Sequence, residues 1–345
     1  FGRADKKSTV NLTDVYTMSG CAPVKDPVYD NATLTGKIER IAKENLTSDY
    51  AKESLKGLAF AGDKVYWITV KGNTPILKTF ESEKVELDLP AVLGSKENPY
   101  IIDSREDLIQ FYEDSLQKDF EGEYFRLDAD ITWNEDPKAA DATVWTPIGI
   151  NADGSLAKYF KGNFDGNGHT ISGLYINTSS ANGSGFIGRT GEGANISNLV
   201  LDNCSMRCTS TGNAFIGGVV GYVYGATIIE NVYCDATIVS TGKITGGLVG
   251  VVTGTGSITL NDCWYDGEID LGTTGTFGGG LIGTSRGAAT INNCLNSGKI
   301  SANKSGAVYV GGLCGSLENR NTDVIMDSVN IGIIGCTDEQ QDAYG

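Results

Sequence analysis

Between Phe186 and Ile334, short apolar runs alternate with Gly, Asn and Asp, and the alternation repeats. A glycine-rich motif recurs as Gly185–Gly188, Gly217–Gly221, Gly246–Gly250, Gly279–Gly283 and Gly311–Gly315. Its last glycines are spaced by 33, 29, 33 and 32 residues. A second row follows at Ile196, Ile229, Leu260, Ile291 and Ile325, and a third at Leu199, Val232, Cys263, Cys294 and Ser328. Rows that keep one period of about 32 residues mark a repeat architecture.

The segments are short, rich in Ile, Val, Thr and Tyr, and broken by turn residues, which predicts strands rather than helices. The simplest geometry is a parallel β-helix whose coils, each of two or three strands, stack at about 4.8 Å. Residues one period apart then lie above one another. The second row becomes an inward aliphatic ladder, and the glycines occupy tight corners. A β-propeller is the competing geometry, but each of its blades needs four strands. The expected fold class is therefore all-β, a parallel β-helix with short helical caps.

The pattern divides the chain into five stretches. In residues 1–20, Gly2, Leu12 and Val15 occupy the three row positions of a coil's back. Residues 337–345 read as the start of a coil. If a copy of residue 1 followed Gly345, then Gly2, Leu12 and Val15 would each fall 32 residues after Gly315, Ile325 and Ser328. Head and tail thus read as halves of one coil, in units that are either covalently tandem or separate chains stacked head to tail; a trimmed coil with frayed ends is the plainer alternative. The expected interface comprises Phe1, Gly2, Leu12, Val15, Ile325, Ser328, Ile334, Tyr344 and Gly345.

Residues 21–93 read as a small α/β cap or linker, with a helix from Ser48, a strand at Lys64–Val70 and a turn at Gly72–Pro75 before Ile76 and Leu77. Residues 94–135 carry an N-cap at Ser104, a helical stripe of Leu108, Phe111, Tyr112 and Leu116, and a strand from Tyr124. A helix there would shield the solenoid's apolar end. Coils are expected over 136–336, with 134–158 as a polar excursion.

A net charge of −16 argues against nucleic-acid and anionic-membrane partners. No apolar run is long enough to span a bilayer as a helix. Eight cysteines include Cys204, Cys234, Cys263 and Cys294 at or near the rows, with Cys21 and Cys336 beyond the coil ends. They read as buried thiols; Cys263 over Cys294 is the pair best placed for a disulfide.

The segments Asn98–Ile102, Phe120–Ile131, Trp145–Gly149 and Phe160–Leu174, together with the Gly-Gly-Leu corners, resemble bacterial surface and secreted proteins carrying the GLUG motif. That motif occurs in adhesins and in non-catalytic segments of IgA-cleaving metallopeptidases. The resemblance implies a right-handed solenoid and an extracellular location, and no activity. The two-histidine zinc motif of those peptidases is missing, because His169 is the only histidine.

The candidate sites each have a plainer reading. Asp165, Asn167 and His169 form a tight turn, with calcium at Asp165 and Asn167 as the alternative; no cofactor is expected. Asp202, Asp235, Asp266, Asn296 and Asn330 read as a stacked turn row, or else as carboxylates for glycan cleavage. Tyr222, Tyr224, Tyr233, Trp264 and Tyr265 could face a glycan or be core. The expected function is structural and non-enzymatic: an extracellular segment of a bacterial surface stalk or filament, stacking on itself through the split coil. A glycan- or host-binding adhesin is the alternative, and a polysaccharide-degrading β-helix the third reading.

Overall fold

The computed structural model describes residues 92–179, 182–210, 212, 214–303, 308–318, 322–336 and 343–344, together with six short strands before residue 78. The chain divides into two compact units, Phe1–Val92 and Leu93–Gly345. In the first unit, Thr9–Asn11 pairs in parallel with Thr33–Thr35, and Val15–Met18 with Ile38–Ile41. A short antiparallel pair joins Trp67–Ile68 to Ile76–Leu77. The helix expected from Ser48 and the side chain of Trp67 lie outside the described residues.

The second unit is a parallel β-solenoid. Each full coil has four walls, not two or three strands. One coil runs through Ala226–Glu230, Tyr233–Ser240, Ile244–Gly246 and Val249–Val252. Its strands pair in parallel with their equivalents in the coils before and after. The first wall has eight strands and the second eleven, while the third and fourth have five each.

The aliphatic ladder is present strand by strand. Phe125, Phe164, Ile196, Ile229, Leu260, Ile291 and Ile325 follow one another in register along the first wall. From Phe125 to Ile291 every one is buried. Stacking identical chemistry on a 3.3 Å-per-residue pleat lets each coil bury the face of the next. The third row, Leu199, Val232, Cys263 and Cys294, is buried beside it at the turn between the first two walls.

The glycine motif is explained by crowding rather than by backbone dihedrals. A Cβ on Gly217 would sit 2.4 Å from the Val220 carbonyl, and one on Gly246 would sit 2.0 Å from that of Val249. These first glycines let the third wall reverse into the fourth. The second glycine of each pair makes room for the second wall: a Cβ on Gly247 would meet Tyr265 Cγ at 2.4 Å. The last glycine presses against the third wall: a Cβ on Gly250 would sit 2.7 Å from the Ile216 nitrogen. The two short walls therefore approach at a distance only glycine permits.

The helix α1 (Arg105–Ser115) closes the first coil, capped by Ser104, whose side chain accepts from the Asp107 N–H. The hydroxyl of Ser104 in turn bonds the Asp107 carboxylate and holds that carboxyl below its ordinary range. Leu108 and Phe111 point into the core. Phe111 meets Phe120, Phe125 and Phe164 at ring separations of 5.3, 4.5 and 5.6 Å. The excursion is narrower than the polar composition of 134–158 suggests. Trp145, Ile148 and Ile150 return to the core, and the Trp145 indole donates to the Phe186 carbonyl.

Candidate functional site

Two surfaces are candidates: the last coil and the outer face of the second wall. The last coil is made of Val324–Met326, Val329–Asn330 and Ile333–Cys336, each paired on one side to the coil before. Among the described residues nothing pairs with its other edge. Ile325, buried in every earlier equivalent, is 45% exposed here, and Ile331 and Ile333 are 68% and 66% exposed. Ser328 bonds the Cys294 N–H and its own Met326 carbonyl, and Ile334 packs against the core. Tyr344 lies in a strand of the third wall, Ala343–Tyr344, paired to Val310 and Gly311. Val15 lies in a described strand of the first unit; Phe1, Gly2, Leu12 and Gly345 lie outside the described residues.

On the second wall, Val200, Tyr233, Trp264, Leu295 and Val329 form an outward column. Trp264 is exposed, packs edge-on to Tyr233 at 4.9 Å, and donates its indole N–H to Ser297 Oγ at 2.7 Å. Ser297 donates onward to Asp266. Burial, then the charges of Asp235 and Asp266, push the Tyr233 phenol up to about 12. Burial, then Asp202 and Asp266, raise the carboxyl of Asp235, while Lys138 opposes the shift.

The predicted aromatic strip does not exist. Tyr265 is fully buried, its hydroxyl donating to the Ala236 carbonyl. Tyr222 and Tyr224 lie at the fourth wall, where Tyr222 stacks under the Arg189 guanidinium at 4.3 Å and Tyr224 packs on Tyr159. Tyr233 and Trp264 share the outer face of the second wall, and Tyr222 and Tyr224 that of the fourth.

The predicted Asp/Asn row splits in two. Tyr265, Asn296 and Asn330 are in register and point inward, whereas Asp202, Asp235 and Asp266 stay outside. A one-residue slip reverses the face, and a bulge between Leu201 and Cys204 complicates the count further. The turn chemistry sits elsewhere, at Asn167, Asn198, Asn231, Asp262, Asn293 and Asp327, all with φ between 48° and 55°. Asn and Asp tolerate this left-handed region best among residues with a Cβ. Asn231 Nδ2 donates to Asn198 Oδ1, and Asn198 Nδ2 to Asp165 Oδ1, each at 2.9 Å. Asn293 continues the ladder onto Asp262. The signal was in the sequence, one residue before every third-row position.

Asp165 and Asn167, the calcium alternative, are engaged in this turn: Asp165 Oδ1 also accepts from the Asn167 N–H, and Asn167 donates to the Leu127 carbonyl. His169 Nδ1 bonds Asp130 at 3.0 Å. Cys263 and Cys294 are free thiols. Their mutual hydrogen bond, with burial, holds Cys263 well above its ordinary pKa.

No family model matches the chain. Over 169 residues, 47% of its length, it is 36% identical to halomucin of Haloquadratum walsbyi. Over 142 residues, 40% of its length, it is 34% identical to a protein of Evansella cellulosilytica named "Putative Gly-rich membrane protein". These matches span 2% and 15% of the two relatives, so the chain corresponds to a small part of each. The crystal structure of a protein from Bacteroides ovatus, named "a putative immunoglobulin A1 protease", aligns with a TM-score of 0.53 at 22% identity. The alignment covers 72% of this chain and 71% of that one, a likeness of fold. Among the described residues no helix is long and apolar enough to cross a membrane.

Proposed function

We propose that this chain is a structural segment of an extracellular surface stalk or filament, stacking head to tail through a shared coil. The observation that carries the reading is the asymmetry of the solenoid: its columns start under a sealed helical cap and run without interruption to a coil whose apolar row is open. Such a solenoid offers its last coil, and not its capped first one, as the place where a further coil is received. The resemblance to short stretches of halomucin and of a membrane protein agrees with a location at or beyond the cell surface. The GLUG resemblance points the same way. The assigned role needs no catalysis, and the protease name of the Bacteroides ovatus protein stays with that protein.

The test is surface labelling of intact source cells with an antibody to the solenoid, paired with negative-stain images of the released protein. Labelled cells and rods of solenoid width support the reading. Labelling that requires permeabilised cells overturns it. A second reading, glycan binding, is favoured by one feature: Trp264 is held by Ser297 and Tyr233 while 41% exposed, the kind of fixed platform on which sugars stack. Saturable retention on a glycan array that disappears with Trp264→Ala would support this second role.

A further inference from the structure

We infer that Asn177 is a covalent modification site, the acceptor of an N-linked sugar chain in the tripeptide Asn177-Thr178-Ser179. The inference rests on the surface location proposed above and not on the stacking of coils. Asn-X-Ser/Thr is the acceptor pattern for such transfer, and it works only where an enzyme can reach the amide and the hydroxyl together. Five of these tripeptides lie in the solenoid, at Asn177, Asn182, Asn195, Asn203 and Asn303. The fold treats them differently.

Asn182 is committed at both ends of its amide. Its Nδ2 donates to the Gly154 carbonyl at 2.9 Å, its Oδ1 accepts from Arg189 Nη2 at 2.8 Å, and Ser184 is buried. Asn195 stands inside the first wall, between Asn163 and Ile228, with its amide oxygen buried. Asn203 is exposed, but its Ser205 is held between Tyr175 and Thr237 of the neighbouring coils. The tripeptide at Asn303 extends beyond the described residues.

The tripeptide at Asn177 is open in three respects. Asn177 and Ser179 are both exposed, and two residues apart on extended chain they face the same side. Among the described residues no hydrogen bond engages either side chain. The strand Tyr175–Thr178 is also an edge. It pairs with Val200–Cys208 of the next coil, and toward the earlier coil it makes a single bridge, from Tyr175 to Val144. Past that bridge the backbone is free to be gripped as an added strand, as an acceptor segment must be.

The transfer needs one co-reactant, a glycosyl diphosphate donor brought by the transferring enzyme. Asn177 Nδ2 attacks the anomeric carbon and a C–N bond forms. The C–O bond to the diphosphate breaks, and the diphosphate leaves with the electron pair. One amide proton passes to a base of the enzyme, and nothing is oxidised or reduced.

The experiment digests the protein from its source cells with trypsin. Asn177 and Asn182 then share one peptide, Gly162–Arg189, and fragmentation by electron transfer assigns any sugar to one of them. Sugar on Asn177 and none on Asn182 is the expected result. Expressed in the same cells, Ser179→Ala should lose the sugar as completely as Asn177→Gln, whereas Ser179→Thr should keep it. All three variants should melt with the unmodified chain, since both positions face water. A bare peptide overturns the inference, as does sugar on Asn182, sugar on Ser179 itself, or sugar retained by Ser179→Ala. A protein labelled on intact cells with a bare peptide would sink this inference alone. A glycosylated peptide from cells that label only when permeabilised would sink the stalk reading alone.

Discussion

The two ends of the solenoid treat the same apolar column in opposite ways. At the start, α1 lays Leu108 and Phe111 over a coil whose column residues are aromatic, and Phe111, Phe120, Phe125, Phe160 and Phe164 fill the opening. At the finish, the column arrives at Ile325 with no cap among the described residues, and Val329, Ile331 and Ile333 are exposed around it. A repeat protein must seal its termini or share them. This molecule does the first at one end and presents a surface suited to the second at the other.

The comparison is broken most severely at the sealed end. Phe111→Ala removes the ring on which four other rings converge, and a loss of about 3–5 kcal/mol is expected in urea unfolding. Ile325→Ala, at the equivalent of a core position, should cost less than about 1 kcal/mol in dilute solution, because so much of its side chain already meets water. If the two losses proved equal, the last coil would be covered and the contrast false.

Between the ends, Gly247→Val tests the crowded corner. Its Cβ would come within 2.1 Å of the Gly280 carbonyl and 2.4 Å of Tyr265. A drop of about 3 kcal/mol is expected, seen as a lower thermal midpoint. Asn231→Ala should cost about 1–2 kcal/mol for its left-handed backbone, and Asn231→Gly clearly less. Should both behave alike in a stability series, the side-chain ladder and not the dihedral would be decisive.

The smallest effect concerns pH. The folded-state pKa of Asp235 is raised, first by burial and then by Asp202 and Asp266. A raised carboxyl favours the protonated fold, so its contribution is present at low pH and is lost as pH rises through the folded value. At neutral pH the charge is a liability. Asp235→Asn should therefore stabilise at pH 7 by under about 1 kcal/mol, reduced further by solvent screening, and change nothing at pH 3. A melting series across that range checks the sign.

Much of the fold was legible because a column writes the same chemistry at a fixed interval. Ile196, Ile229, Leu260, Ile291 and Ile325 do stand in register, as the period alone implies. What failed was counting within a coil. Coils differ by a residue or two, so Asp266 and Asn296 look like partners in sequence although Asn296 actually follows Tyr265. Face assignment inherits that slip, which is why Tyr265 could be read as a platform when it is core. Trp145 was hidden for another reason: it sits in a polar stretch, and its burial depends on Trp133 and Phe186, distant in sequence. The turn ladder is hard to see in sequence because each member, such as Asn231, sits between apolar row positions, here Ile229 and Val232.

The strands run across the solenoid and their hydrogen bonds run along it, which has a mechanical consequence. A coil of about 32 residues occupies about 4.8 Å of the axis when wound and reaches roughly 105–115 Å when drawn straight. Tension applied from the bare end meets one loop's worth of bonds at a time, while the sealed end holds fast. The molecule should therefore yield in equal instalments, a ratcheted tether whose reach grows more than twentyfold before it parts.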